Sequence, residues 1–182
     1  MTSISNWALE RNGKIRDINA REVKIYRVKT IEESICPICA GTLIKKGLRT
    51  RYLTRTKPGA TEDDYNPYER ICLLIQRHKC KKCGKIHHQL PDCIVPYKRL
   101  NAQIIEDIIK QPEQPTLIDE GTVKRILAWW VLMAAYLLGV APSLAQKHQV
   151  RVTPGQKLVQ IVRALVNSHR WPGTRSGLNA PG

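Results

Sequence analysis

Gln76-Arg77-His78-Lys79-Cys80-Lys81-Lys82-Cys83-Gly84-Lys85-Ile86-His87-His88 places a C-x-x-C pair at the end of a strand-like run. Cys36-Pro37-Ile38-Cys39 supplies a second pair, with 40 residues between the two. Each pair can form a tight knuckle that offers two thiolates to one ion, and two knuckles complete a tetrahedral four-sulfur site. Zinc suits such a donor set, because it tolerates four soft ligands without a geometric preference of its own. Cys36, Cys39, Cys80 and Cys83 are therefore the expected ligands of one structural Zn2+. A closed site of this kind leaves no position for a reactive water, so the expected role is not catalytic. The competing readings are a pair of redox motifs or unliganded buried cysteines, but a redox motif should precede a helix in a βαβ pattern. Both pairs here flank strand-like runs.

Those runs are Leu43 to Arg55 and Arg70 to Lys79. Between them, Lys57 to Glu69 holds Pro58, Gly59, Asp63, Asp64, Asn66 and Pro67, which reads as a loop. A hairpin with this loop explains a spacer longer than the usual 15–20 or so residues. Cys72 lies mid-strand and reads as a small core residue, as does Cys93. His87 and His88 are expected to support the site by hydrogen bonding or to face a ligand.

Working outward, Val23 to Ile31 reads as a strand. From Leu100 the period becomes helical, with Ile104, Ile105, Ile108 and Ile109 on one stripe, ended by Pro112 and Pro115. A second helix is expected from about Glu120 to Val140, stopped by Gly139 and Pro142. A third is expected from Pro154, capped by Thr153, with Leu158, Ile161, Val162 and Leu165 inward. The expectation is an α+β chain: an N-terminal segment 1–34, a zinc-ribbon domain 35–98, a helical region 99–169 and a loosely ordered tail 170–182. The first two helices could form a helix-turn-helix with the second as reader, or simply pack. The apolar run Ile126 to Ala141 is 16 residues long, short of the roughly 20 that a membrane span needs, so burial in a core or dimer interface is expected.

Of the 182 residues, 30 are Lys or Arg and 15 are Asp or Glu, a net charge of +15. The segment 36–100 alone carries fourteen basic and five acidic side chains, so the excess sits with the cysteines. That favours a polyanionic partner, duplex DNA first. Strand side chains alternate faces, so on Leu43 to Arg55 the residues Lys45, Arg49, Arg51 and Arg55 are expected on one face and Ile44, Leu48 and Tyr52 on the other, mostly apolar one, with Arg77 and Lys79 on the partner strand extending the patch. Lys81 and Lys82 in the knuckle, and Lys124 and Arg125 in the second helix, complete the expected nucleic-acid contacts. The hydrophobic fraction of 42% excludes a disordered chain. Met1 to Arg16 lacks the apolar core of a secretory signal, so a cytoplasmic location is expected.

The stretch Ile75 to Asp92, followed by Val95-Pro96-Tyr97-Lys98-Arg99, resembles a bacterial domain-of-unknown-function family tied to mobile elements. Cys36-Pro37-Ile38-Cys39, Gly121-Thr122-Val123-Lys124-Arg125-Ile126 with Trp129, Asn167-Ser168, Trp171-Pro172 and Thr174-Arg175-Ser176 are similar to its other parts. The order is also similar to the zinc ribbon plus helix-turn-helix at the N-terminus of insertion-sequence transposases. The resemblance implies DNA binding linked to transposition. A transposase nuclease needs three carboxylates on a ribonuclease-H-like sheet, and no strand-rich segment follows to carry them. A binding module without its own nuclease is therefore expected, not an enzyme. The alternative is an interaction module that docks on a transposase or another subunit, or on a second copy, through 126–141.

Overall fold

The computed structural model describes residues 2–4, 7–16, 22–30, 35–36, 38–61, 63–113, 117–149, 151–153, 155–168 and 170–172. Its sheet is built from β1 (Thr2–Ile4), β2 (Trp7–Arg16), β3 (Glu22–Thr30), β4 (Leu43–Thr56), β5 (Tyr68–Cys80) and β6 (Ile86–Pro91). Three helices follow: α1 (Ala102–Lys110), α2 (Glu120–His148) and α3 (Leu158–Asn167). The class is mixed α+β.

β5 is the organising strand. β4 pairs antiparallel along its whole length, from Leu43 opposite Cys80 to Thr56 opposite Tyr68. On the other edge, β3 runs parallel to Ile71–Leu74, and β6 runs antiparallel to Arg77–Lys79. β2 extends the sheet beyond β3, and β1 pairs parallel with β6. β1, β2 and β3 thus join the same sheet as the hairpin that carries the knuckles. The interior of β5, Ile71-Cys72-Leu73-Leu74-Ile75, is the continuous apolar run that a strand covered on both faces needs. Val28, Leu53, Ile71, Leu73, Ile75, Leu90 and Ile94 form the sheet core.

The helices enclose a second core around Ile104, Ile105, Ile108, Met133, Leu144, Ile161 and Leu165. The Asn101 side chain caps α1 by accepting from the amide of Ile104 at 2.9 Å, and Asp119 caps α2 through Thr122 at 2.8 Å. Sheet and helices are tied at one corner. The amide of Thr54 donates to the carbonyl of Arg99 at 2.7 Å, and the amide of Asn101 to that of Thr54 at 2.9 Å.

Three helical expectations need correction. α2 does not stop at Gly139 or Pro142 but continues to His148, where Gln149 adopts a left-handed φ of 54°. Pro142 removes one bond to the carbonyl of Leu138, yet both residues lie on the exposed face, where water can satisfy that carbonyl. Nor is Ile126 to Ala141 sunk in the core of the chain, one of the two placements expected for it. Only 22% of the most apolar window of α2 is buried, and by length and composition the helix is long and apolar enough to cross a membrane. Its inward stripe is Ile126, Trp129, Met133, Leu137 and Leu144. α3 begins at Leu158 rather than at Pro154, and its cap residue Lys157 makes no side-chain cap bond. Thr153 instead closes a turn in which its carbonyl accepts from the amide of Gln156. Pro154, Pro115, Ile31 and the tail from 173 onward lie outside the described residues.

Candidate metal centre

The hairpin β4–β5 brings both knuckles together, because Leu43 at its start pairs with Cys80 at its end. The two knuckles are built alike. In the first, the amide of Ala40 donates to the carbonyl of Cys36 (2.8 Å) and that of Cys36 to Gly41 (2.9 Å). In the second, Gly84 donates to Cys80 (3.1 Å) and Cys80 to Lys85 (2.9 Å). Each turn needs a left-handed residue after its second cysteine. Gly84 takes φ 71° freely, whereas Ala40 takes φ 52° against its own Cβ. Pro37 lies outside the described residues.

The thiol sulfurs of Cys36, Cys39, Cys80 and Cys83 all lie within 4.8 Å of one another. Cys36 Sγ is 3.6 Å from Cys83 Sγ, and Cys39 Sγ is 3.5 Å from Cys80 Sγ. A tetrahedron with metal–sulfur bonds of about 2.3 Å has sulfur–sulfur edges of about 3.8 Å, so the donor set fits one ion. The amide of Cys83 donates to Cys80 Sγ at 3.4 Å. Chiefly through that bond, and against burial, the Cys80 thiol is lowered to about 6. Cys39 is pushed the other way, to about 12: the Gly41 amide favours its thiolate, but burial and the neighbouring thiols outweigh it. His87 is buried, with Nε2 3.5 Å from Cys36 Sγ, the position of a group that orients a ligand from outside. Cys72 and Cys93 stand outside the cluster. Cys72 is fully buried in the sheet opposite Tyr52. Burial raises its thiol, and it pushes that of Cys93 up to about 12.

Gly41 lies where the chain passes closest to the sulfurs. A Cβ there would sit 2.8 Å from Lys82 Cβ and 3.1 Å from Cys80 Sγ. Two adjacent substitutions should therefore act in opposite directions. Gly41→Ala should weaken metal retention, while Ala40→Gly should relieve about 1 kcal/mol of left-handed strain. Chelator competition on both variants measures this.

The structure revises the basic face. The register shifts between Lys45, opposite His78, and Gly47, opposite Arg77. This bulge puts Lys45 on the opposite face from Arg49, Arg51 and Arg55. Arg49, Arg51 and Arg55 do share a face, but it is the one that carries Leu53, Ile71, Leu73 and Ile75, the core side. Arg51 Nη2 donates to the carbonyls of Val95 (3.0 Å) and Lys98 (2.8 Å). Arg55 pairs with Glu69 at 2.7 Å and lies over the Tyr26 ring. Burial works against the Glu69 carboxylate, but Lys24 and Arg55 hold its carboxyl below the usual range. Arg51 and Arg55 are thus committed to the fold rather than presented to a partner. Lys124 pairs with Glu120 at 2.6 Å, and Arg125 donates to Thr122 Oγ1 at 2.8 Å, so acidic and hydroxyl groups of the same helix end already meet these cations. Residues 111–119 between α1 and α2 are too long a connection for the short turn of a helix-turn-helix.

The exposed cations gather at the knuckle end instead. Lys45 and Lys46 open β4, Lys79 closes β5, and Lys81, Lys82 and Lys85 lie in the second knuckle, all exposed. Lys46 and Lys85 were not singled out as contacts from sequence, although the absence of acidic residues over 36–61 and 70–91 marks the whole region. Arg77 is half-buried, and its Nε has no hydrogen-bond partner.

No curated protein and no solved structure matches the chain. The domain of unknown function DUF6431 matches residues 36–126, half of the chain, from the first knuckle to the opening turns of α2. The four-cysteine centre and the basic knuckle end lie inside that match, and the chain belongs to the DUF6431 family.

Proposed function

We propose that the protein is a zinc-stabilised module that binds duplex DNA through the knuckle end of its β4–β5 hairpin. One observation carries the reading: six exposed lysines, Lys45, Lys46, Lys79, Lys81, Lys82 and Lys85, surround the four-sulfur centre with no acidic residue over 36–61 or 70–91. Such a surface suits phosphates, which position a protein on DNA without reading sequence. Zinc is the metal of choice for four thiolates. When bound it would cross-link the two knuckles, held by Cys36, Cys39, Cys80 and Cys83, and so fix the lysines on the hairpin that presents them. The arrangement of two knuckles on a hairpin supports a ribbon, the resemblance of the motifs to transposase N-termini supports a role linked to mobile elements, and a closed four-thiolate site with no position for water supports a non-enzymatic one. Lys81→Ala with Lys82→Ala should weaken binding to all duplex sequences alike, read by fluorescence anisotropy. Unchanged affinity in that pair would move the contact surface elsewhere.

A second reading is favoured by α2. Val131 (68% exposed), Leu132 and Leu138 form an outward apolar stripe with Ala128, Ala135 and Gly139 between them. That stripe suits an interaction module whose partner is a protein subunit, a second copy of the chain included. On that reading the purified protein shifts no DNA but elutes as a larger species, and Leu138→Lys returns it to a monomer.

A further inference from the structure

Between β4 and the segment 97–99 opens a cleft of about 530 Å3. Arg49, Arg51, Arg70, His88 and Arg99 line it, and its described lining holds no acidic side chain. The walls are built rather than incidental. Arg51 ties β4 to the opposite wall by donating to the carbonyls of Val95 and Lys98. Arg70 lies over the Tyr52 ring at 4.7 Å. Tyr97 adopts φ 64°, a left-handed conformation that a bulky residue seldom takes, and its side chain remains 45% exposed at the cleft. An exposed aromatic residue on a strained backbone, lining the same cleft as several arginines, suits a base stacked on the ring and a phosphate held beside it. His88 is held down to about 4, first by burial and then by Arg49 and Arg77, so it adds no charge at neutral pH.

The cleft does not end there. A second hollow shares Arg49, Thr50 and His88 with it and reaches Arg77, whose buried Nε lacks a partner. Lys79 follows two residues further along β5. A basic path therefore runs from Arg99 along the sheet to the knuckle lysines. A volume near 530 Å3 is that of a small-molecule site, suited to a nucleotide and too small for a duplex.

We propose that this cleft binds an unpaired nucleotide of a DNA strand, its base stacked on Tyr97 and its phosphate held by Arg49 and Arg99. The proposal rests on the nucleic-acid reading above and adds to it a preference for single-stranded DNA. The test is anisotropy at low salt with a labelled dT8 oligonucleotide, an abasic oligomer of equal length and a blunt duplex. Wild-type protein should bind dT8 about tenfold more tightly than the abasic oligomer. Tyr97→Ala should lose about that factor on dT8, while Tyr97→Phe, which keeps the ring, should stay within about twofold of wild type. Retained metal and an unchanged thermal transition in both variants show that the fold survives. Equal binding of dT8 and the abasic oligomer, or a Tyr97→Ala protein that binds dT8 like wild type, would overturn the proposal. Binding to the blunt duplex without binding to dT8 would also overturn it and leave the duplex reading standing. Binding to dT8 without binding to the duplex would keep the cleft and remove the duplex reading.

Discussion

Cys80→Ser is expected to release the metal and unfold the knuckle end of the hairpin, whereas Cys72→Ser is expected to keep full metal content. Cys80 belongs to both halves of the structure at once. Its sulfur lies 3.5 Å from Cys39 Sγ, and its backbone closes the second knuckle and pairs with Leu43. Metal binding in small four-ligand modules is coupled to folding and is worth about 10–16 kcal/mol. Much of that is lost when one ligand goes, because few apolar contacts replace it at this end. Ile35, Ile38, Ile44 and Ile86, large apolar side chains at this end, are all more than 40% exposed. Cys72 is equally buried but packs in the sheet away from the cluster, so its serine variant pays only for a buried hydroxyl, about 1–3 kcal/mol. Metal analysis with thermal unfolding separates the two. Full zinc retention in Cys80→Ser would remove the four-thiolate assignment.

The second large effect lies in the helices. Glu106 is nearly buried on α1, where one carboxylate oxygen pairs with Lys110 and the other accepts from the amide of Leu158 at 3.0 Å. That amide opens α3, whose own cap residue offers nothing. A carboxylate 52 positions away in sequence thus does the work of an N-cap and places a negative charge at the positive helix end. Glu106→Ala should cost about 2–4 kcal/mol, because it leaves a buried amide without its acceptor and Lys110 without its partner. Lys110→Ala should cost under about 1 kcal/mol, since Lys110 is 62% exposed. Urea unfolding of the two variants decides the point, and equal midpoints would show that α3 does not depend on this cap.

The local elements were legible where the signal is local. Alternation and the Pro-Gly-Asp loop give β4 and β5 to within about two residues, and the C-x-x-C spacing gives all four members of the cysteine cluster that could hold a metal. β6 escaped because Ile86-His87-His88-Gln89-Leu90-Pro91 carries little strand propensity. It exists because β5 offers an edge at Arg77–Lys79. Pairing also explains the two histidines, which fall on opposite faces: His87 turns to Cys36 and His88 to the basic cleft. The cationic face failed for two reasons of different reach. A bulge at Lys45–Gly47 breaks the alternation locally. The use of Arg51 depends on residues 95–98, more than forty positions away, and no periodicity in β4 announces it. The cleft is invisible for the same reason, since β4 and Tyr97 meet only in the folded chain.

The salt dependence of duplex affinity tests the central claim most directly. If about four to six of the knuckle lysines meet phosphates, the logarithm of the binding constant should fall against the logarithm of salt with a slope of about −4 to −5. Lys81→Ala with Lys82→Ala should flatten that slope by about two contacts' worth. A metal-loaded wild-type protein with no measurable duplex affinity at low salt would contradict the account.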